Sequence, residues 1–399
     1  MSVAHPIDHA WVSTGGTGAQ NYDEFADDAE ITAIITQNPA SALAIEMPHR
    51  HPDAVAAGQT FTQALPDAAR RLRQAQEAGA YRPVERAIGV YRISGADSVA
   101  YGVFCMIDTD QISTSADEPG LVIRNEDVFV EKVRERVALA EATGHLLSPV
   151  LLLQSGRGEE LHTALVELTG RLGPADVTDI DQAGRRHEVW MLTEGAEADR
   201  ILELAGGGEL IVADGNHRSL AAQIGGLPRF LAVVTTPASV VIRPYNRLVS
   251  ELTLPAEEVL ERLTAAGGQV EPLSGRPEVP TDRDVVHLYL SQRGGYAVRL
   301  PAGEGSIVDR MAHTIVEREL FRDALGLDPG DKRITYVGGD YPASWLCDEV
   351  DAGRAQLAVL IAPVSVDDFV QVNLARLKMP RKSTWFTPKA RAGLVLAAL

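Results

Sequence analysis

Apolar and polar positions along the chain follow two periods. Residues 86–94 and 99–108 are runs rich in β-branched and aromatic side chains, joined by Gly95-Ala96-Asp97-Ser98, which predicts a hairpin. Over 127–142 the period lengthens. Phe129, Val133, Val137 and Ala140 share one helical face, Asn125 is placed to cap the helix, and Glu126 and Asp127 suit the positive end of its dipole. Strand-like and helix-like runs then alternate: strand 149–154, helix 159–172, strand 188–192, helix 199–204, strand 210–213, helix 219–224, strand 230–234. A second block begins near Leu252, with helix 256–266, strands 285–290 and 296–300, a long helix 307–325, strand 334–337, helix 344–352, strand 357–361 and helix 367–377. Ahead of the hairpin the signals are weaker. A Gly/Thr loop over 13–18 precedes an acidic, helix-like segment over 22–36, and Ala69, Leu72 and Ala75 carry helical spacing after Pro66. The pattern predicts an α/β (α+β) fold.

A chain of 399 residues suggests two or three domains, and the pattern divides it into 1–84, 85–250 and 251–399. With 45% hydrophobic and 23% charged residues the composition is that of a globular protein, and no apolar run approaches the length of a membrane span. Lys and Arg number 37 against 55 Asp and Glu, a net charge of −18, which opposes a broad basic face for duplex DNA; no nucleic-acid or membrane partner is expected. Cys105 and Cys347 sit among apolar residues at no metal-site spacing and are expected to be buried thiols. The first residues lack a basic and an apolar segment of signal-peptide type, so a cytoplasmic location is expected.

Three segments carry candidate chemistry. In Ile211-Val212-Ala213-Asp214-Gly215-Asn216-His217-Arg218 a buried strand ends in Asp-Gly, turns, and opens a helix. Gly215 permits the tight turn, the first-turn N–H groups and the dipole form an anion cradle, and Arg218 adds a cation suited to a phosphate chain. Asp214 is positioned to hold Mg²⁺ or orient a hydroxyl. The same residues also suit a plain turn with Asp and Asn as caps. The second segment, Arg124-Asn125-Glu126, places a carboxylate at a strand-to-helix junction, where it can act as a general base or simply complement the dipole. The third is Met379-Pro380-Arg381-Lys382-Ser383-Thr384-Trp385-Phe386-Thr387-Pro388-Lys389. From Asn373 to the end there are six basic residues and no acid, which in an acidic protein points to an anionic ligand such as nucleotide phosphate, or to a solvated basic face paired with acidic neighbours.

In order along the chain these segments resemble a widespread bacterial and archaeal domain-of-unknown-function family. Asn38-Pro39 through Pro48 resembles its "NP…P" segment, Glu126 through Arg136 its "HE…K..R" stretch, Asp214 to Arg218 its "ADGHHR" signature, and Met379 to Lys389 its "MP.KST.F.PK" signature. That family is similar to ADP-dependent free-serine kinases and, more distantly, to ParB and sulfiredoxin cores. The resemblance implies a ParB/sulfiredoxin-like nucleotide-binding core over 85–250, with a second α/β domain at the C-terminus. It implies a small-molecule kinase that uses ADP or ATP, with Mg²⁺, to phosphorylate a hydroxyl of serine or a related metabolite. The alternatives are a nucleotide-binding switch of ParB-like type without turnover, or a nucleotide hydrolase. Carried over by position, Glu126, Asp214 and His217 are catalytic, Asp214 also serving Mg²⁺. Gly215, Asn216, Arg218, Lys382, Ser383, Thr384 and Lys389 contact phosphate. Two positions depart from the pattern: Asn125 and Asn216 stand where the family carries His, exchanging a titratable ring for an amide.

Overall fold

A computed structural model describes residues 2–25, 27–113, 120–125, 130–301 and 303–399. The chain divides into two compact units, Met1–Val241 with Pro388–Leu399, and Ile242–Thr387. This differs from the three-way division expected above. Residues 1–84 share a sheet with the core, and the last twelve residues leave the second unit and return to the first.

The first unit is built on one large mixed sheet. Its main path runs Val122–Ile123, Leu210–Asp214, Val150–Gln154, Arg229–Thr235, Val99–Asp108, Tyr81–Ser94, Ile7–Ser13, Val395–Ala398, His145–Leu146. Leu210–Asp214 is antiparallel to Val150–Gln154, and Arg229–Thr235 is parallel to it. The expected hairpin is present, closed by Gly95 N–H donating to the Ser98 carbonyl. Tyr81–Ser94 is long enough to pair twice over. Its first half meets Ile7–Ser13, and its second half meets both Val99–Asp108 and Arg186–Thr193. One face is sealed by the helices Gly158–Thr169 and Ala196–Ala205, whose Leu161, Leu165, Ile201 and Leu202 pack on Val103, Cys105, Leu152, Val212 and Ala232. Cys105 and Cys347 are both free and buried, as their apolar neighbours predict.

Helix Phe61–Glu77 begins ahead of Pro66, because Thr60 and Gln63 form a reciprocal capping box. Helix Val130–Thr143 follows the undescribed residues 126–129, so Glu126 lies outside the described residues. The strands Ile7–Ser13 and Val395–Ala398, which the pattern does not predict, pair with each other (Ala10 with Ala397, Trp11 with Leu396). That pairing returns the chain end, including Lys389, to the first unit.

The second unit is an antiparallel sheet in the order Gln269–Pro272, Gly294–Arg299, Val285–Leu290, Leu357–Ile361, Asn246–Val249, Ile334–Val337. Its strands alternate between two cores. Val249, Val286, Leu288, Val359 and Ile361 pack beneath Ala256–Ala265 and the segment after Ala312, while Leu248, Ala358 and Leu360 pack on Ala343–Asp351. The long helix expected over 307–325 begins only at Ala312 and continues as a π-helix over Val316–Ala324. Glu317 in its first turn reaches Arg247 on the strand Asn246–Val249.

Candidate functional site

The strand Leu210–Asp214 and helix Asn216–Ile224 meet at Gly215, whose φ of +96° is the left-handed conformation glycine adopts without strain. Just before the turn the pairing with Val150–Gln154 slips: Val212 stands opposite Leu152, but Asp214 opposite Leu151. This bulge re-aims the end of the strand. Asp214 then closes an ionic clamp. One carboxylate oxygen accepts from Arg218 Nη2 and the other from Lys389 Nζ at 3.0 Å, across 175 positions of sequence. Arg218 Nη1 donates onward to Asn21 Oδ1 at 3.2 Å and to the Pro149 carbonyl. One guanidinium therefore ties the turn to the N-terminal segment and to the start of a central strand. Burial opposes its charge, but Asp214, Asp23 and Glu46 outweigh that and hold its pKa above the ordinary value.

Gly215 lies against this guanidinium. A Cβ there would sit 3.0 Å from Arg218 Nε and 3.1 Å from Cζ, on a backbone that L side chains avoid. Gly215→Ala is expected to lower stability by about 1–3 kcal/mol, read as a drop in the denaturant midpoint at unchanged slope.

Around the clamp the structure gathers residues that the sequence reading passed over. Glu24 is buried, and its Oε1 accepts from Asn21 N at 3.0 Å and Asn21 Nδ2 at 2.8 Å. Burial pushes its carboxyl up to about 7; Lys389 pulls it back, while Asp214 and Asp23 push it further up. Glu46, also buried, accepts from Ser148 Oγ, and burial raises its pKa against the pull of Arg136. Arg136 lies with its Cζ 4.0 Å from the centre of the Tyr22 ring and donates to the Glu46 carbonyl. The segment from Tyr22 onward reads as an acidic helix, but that helix begins only at Asp28. The signal that could have separated the two is Tyr22 and Phe25 interleaved with the acids, since aromatic residues mark a segment that packs rather than one that is solvated.

Among the expected site residues, Asp214, Gly215, Asn216, His217, Arg218 and Lys389 come together in the first unit. Asn216, His217 and Arg218 are all buried. Asn216 Nδ2 donates to Asn125 Oδ1 at 2.6 Å, so the two amides at the positions where the resemblance expects His are bonded to each other. Lys382, Ser383 and Thr384 belong to the second unit. There Lys382 adopts a φ of +53° with its Nζ 5.6 Å from the centre of the Tyr245 ring, and Ser383 is buried. The resemblance places Mg²⁺ at Asp214. Both of its oxygens are already bonded to cations, and the described residues contain no group of three His, Cys, Asp or Glu side chains arranged to hold a metal ion. The described helices include none long and apolar enough to cross a membrane.

A family model described as "Protein of unknown function (DUF1015)" matches residues 17–320. No curated protein matches the chain. Among solved structures, a free serine kinase (E30Q mutant) in complex with AMP is similar at 11% identity and a TM-score of 0.40, over 71% of this chain and 87% of that one. A conserved hypothetical protein from Pyrococcus furiosus is similar at 12% identity and a TM-score of 0.38, over 71% and 90%. SbnI with a C-terminal truncation, from Staphylococcus aureus, is similar at 13% identity and a TM-score of 0.38, over 72% and 84%.

Proposed function

The chain belongs to the DUF1015 family, and from the site in its first unit we propose that it is a small-molecule kinase, transferring a phosphoryl group from ADP or ATP to the hydroxyl of serine or a related metabolite. The observation that carries this reading is the clamped turn. Asp214, Arg218 and Lys389 hold Gly215 so that the following helix opens at the turn with the positive end of its dipole, which favours an anion. A nucleotide phosphate suits such a cradle. Phosphoryl transfer asks a protein mainly for positioning and charge stabilisation, which a rigid turn supplies. In this reading Gly215, Asn216 and His217 contact phosphate. Asp214, Arg218 and Lys389 fix the cradle's shape, and Glu126 approaches the acceptor hydroxyl as the family resemblance implies. Lys382, Ser383 and Thr384 are proposed as phosphate contacts carried by the second unit.

The test is transfer of labelled phosphate from ADP and from ATP to a panel of hydroxy amino acids. Labelled product with at least one donor and acceptor is expected. A folded protein that labels none of them under any donor removes the reading.

One observation favours a second reading, nucleotide binding without turnover. The Asn125–Asn216 pair joins two amides, and neither can carry a proton as His does. Calorimetric titration with ADP and ATP separates the two readings, since a switch binds nucleotide yet yields neither phosphorylated acceptor nor free phosphate. Release of phosphate without an acceptor identifies a hydrolase.

A further inference from the structure

Arg136, on the helix Val130–Thr143, is a cation with only 6% of its surface exposed. Its guanidinium lies between two aromatic rings, with Cζ 4.0 Å from the centre of Tyr22 and 5.0 Å from that of Phe61. Nη1 donates to the Glu46 carbonyl at 3.3 Å. The opposite edge, made of Nε and Nη2, has no hydrogen-bond partner among the described residues. That edge is the one that takes a carboxylate in two parallel hydrogen bonds, and Arg333 and Arg354 use it in this way on Asp331 and Glu349. The Glu46 side chain does not supply the missing partner. Its Oε1 accepts from Ser148 Oγ, and burial raises its carboxyl, which reduces the negative charge set against Arg136. Aromatic faces offset part of the cost of burying a guanidinium, but they leave its in-plane N–H groups unmet. An apolar side chain of similar length would stabilise the same packing at lower cost, so the cation suits a ligand better than it suits the core.

Arg136 lines a cavity of about 70 Å³ in the first unit, bounded by its own helix, the helix Asn216–Ile224 and the strands Val150–Gln154 and Arg229–Thr235. The charged residues in the lining that are buried are Glu46, Arg136 and Arg218. Arg218 is already neutralised by Asp214, which leaves Arg136 as the cation with bonding capacity to give. The rest of the wall is largely apolar and includes Ala140, Ala222 and Phe230, while the lining residues Gly225 and Leu399 are exposed and mark where the cavity meets solvent. A space of about 70 Å³ takes roughly five water-sized groups, the bulk of a carboxylate with a few carbons attached.

We propose that this cavity binds a short-chain aliphatic carboxylate, its two oxygens on Arg136 Nε and Nη2 and its hydrocarbon tail against Ala140, Ala222 and Phe230. The guanidinium fixes the head group in direction as well as charge, and the small cavity limits the tail. Binding here is independent of the kinase reading, since none of these contacts involves a nucleotide or an acceptor hydroxyl.

The test titrates the full chain with acetate, propionate, butyrate and hexanoate, and with butyramide as the uncharged isostere. Binding is read by calorimetry and by the Arg136 Nε–H resonance in protein carrying isotope-labelled arginine. Affinity is expected to rise about fourfold for each methylene buried from acetate to butyrate and to level off by hexanoate, when the cavity is full. Butyramide should bind at least about tenfold more weakly and leave the Arg136 resonance where it was. Arg136→Met should weaken butyrate about tenfold or more, and Ala140→Leu, which fills the cavity from a half-buried helix position, should weaken it as well. The wild-type resonance decides the matter even where Arg136→Met does not fold. Butyrate at millimolar concentration that leaves that resonance unmoved overturns the site. Butyramide that binds as tightly as butyrate also overturns it, and marks a cavity that takes apolar groups without reading charge.

Discussion

Arg218→Met is expected to lower the unfolding free energy of the first unit by about 3–5 kcal/mol, the usual cost of removing one partner from a buried ion pair. The side chain is only 7% exposed and serves three segments at once: Asp214 at the end of a strand, Asn21 in the N-terminal turn, and the Pro149 carbonyl where a central strand begins. Methionine matches much of its length but donates nothing. Asn21 Oδ1 and the Pro149 carbonyl lose a donor in a place water does not readily reach, and Asp214 is left with Lys389 alone. Arg218→Lys should recover only part of the loss, because one ammonium cannot span acceptors that a planar guanidinium reaches from separate nitrogens. Denaturant titration gives the totals. Hydrogen exchange at the amides of Val150–Gln154 and Leu210–Asp214 gives the location, and faster exchange is expected in both strands. A loss below about 1 kcal/mol, as seen for exposed pairs, would mean that the clamp does not hold the turn.

Arg247→Met is expected to cost the second unit about 2–4 kcal/mol. Arg247 is fully buried on the strand Asn246–Val249, and its Cζ lies 4.4 Å from the centre of the Tyr336 ring. It donates to the carbonyls of Tyr245 at 2.9 Å, Asn246 at 3.3 Å and Arg381 at 3.3 Å, and to Glu317 at 3.4 Å. The Arg381 contact anchors the segment that carries Lys382, Ser383 and Thr384. The loss should depend on pH. Burial already raises the Glu317 carboxyl against the pull of Arg247, and without that pull it titrates higher still. A carboxyl raised in the native state loses stability as pH rises, so the deficit of Arg247→Met should be larger at about pH 8 than at about pH 5. Exchange should quicken at Leu357–Ile361 and Ile334–Val337, which flank the Arg247 strand.

Much of the second unit could be read from local pattern. Val285–Leu290, Ile334–Val337 and Leu357–Ile361 fall at the expected residues, because they are short runs rich in β-branched, aromatic and other apolar residues closed by turn residues. The π-helix over Val316–Ala324 could not, since the 3.6-residue spacing of apolar positions reads the same for an α-helix. In the first unit the hairpin and the strand–Gly215–helix turn were legible, because left-handed glycine and strand alternation are decided within a few residues. The strands Ile7–Ser13 and Val395–Ala398 were not, because their pairing partners are remote in sequence: Tyr81–Ser94 and the C-terminal strand for the first, Ile7–Ser13 and His145–Leu146 for the second.

The candidate site divides along the same line. Asp214, Gly215, Asn216, His217 and Arg218 are contiguous, so the sequence by itself determined that they share a turn, and their chemistry marks it as one able to hold an anion. Their partners are remote. Lys389 reaches Asp214 only because the C-terminal strand pairs beside Ile7–Ser13, while Lys382, seven residues earlier, stays in the second unit. Glu24 falls in a segment that reads as an acidic helix and Asn21 just ahead of it carries no signal of its own, yet both are buried and the Arg218 guanidinium takes hold of Asn21. Tertiary structure alone decided which charges are desolvated and which oxygens are already bonded. Local sequence sets backbone conformation, but the titration of a carboxyl depends on how much water is removed around it and on which charges are brought close, and both are properties of the packed chain.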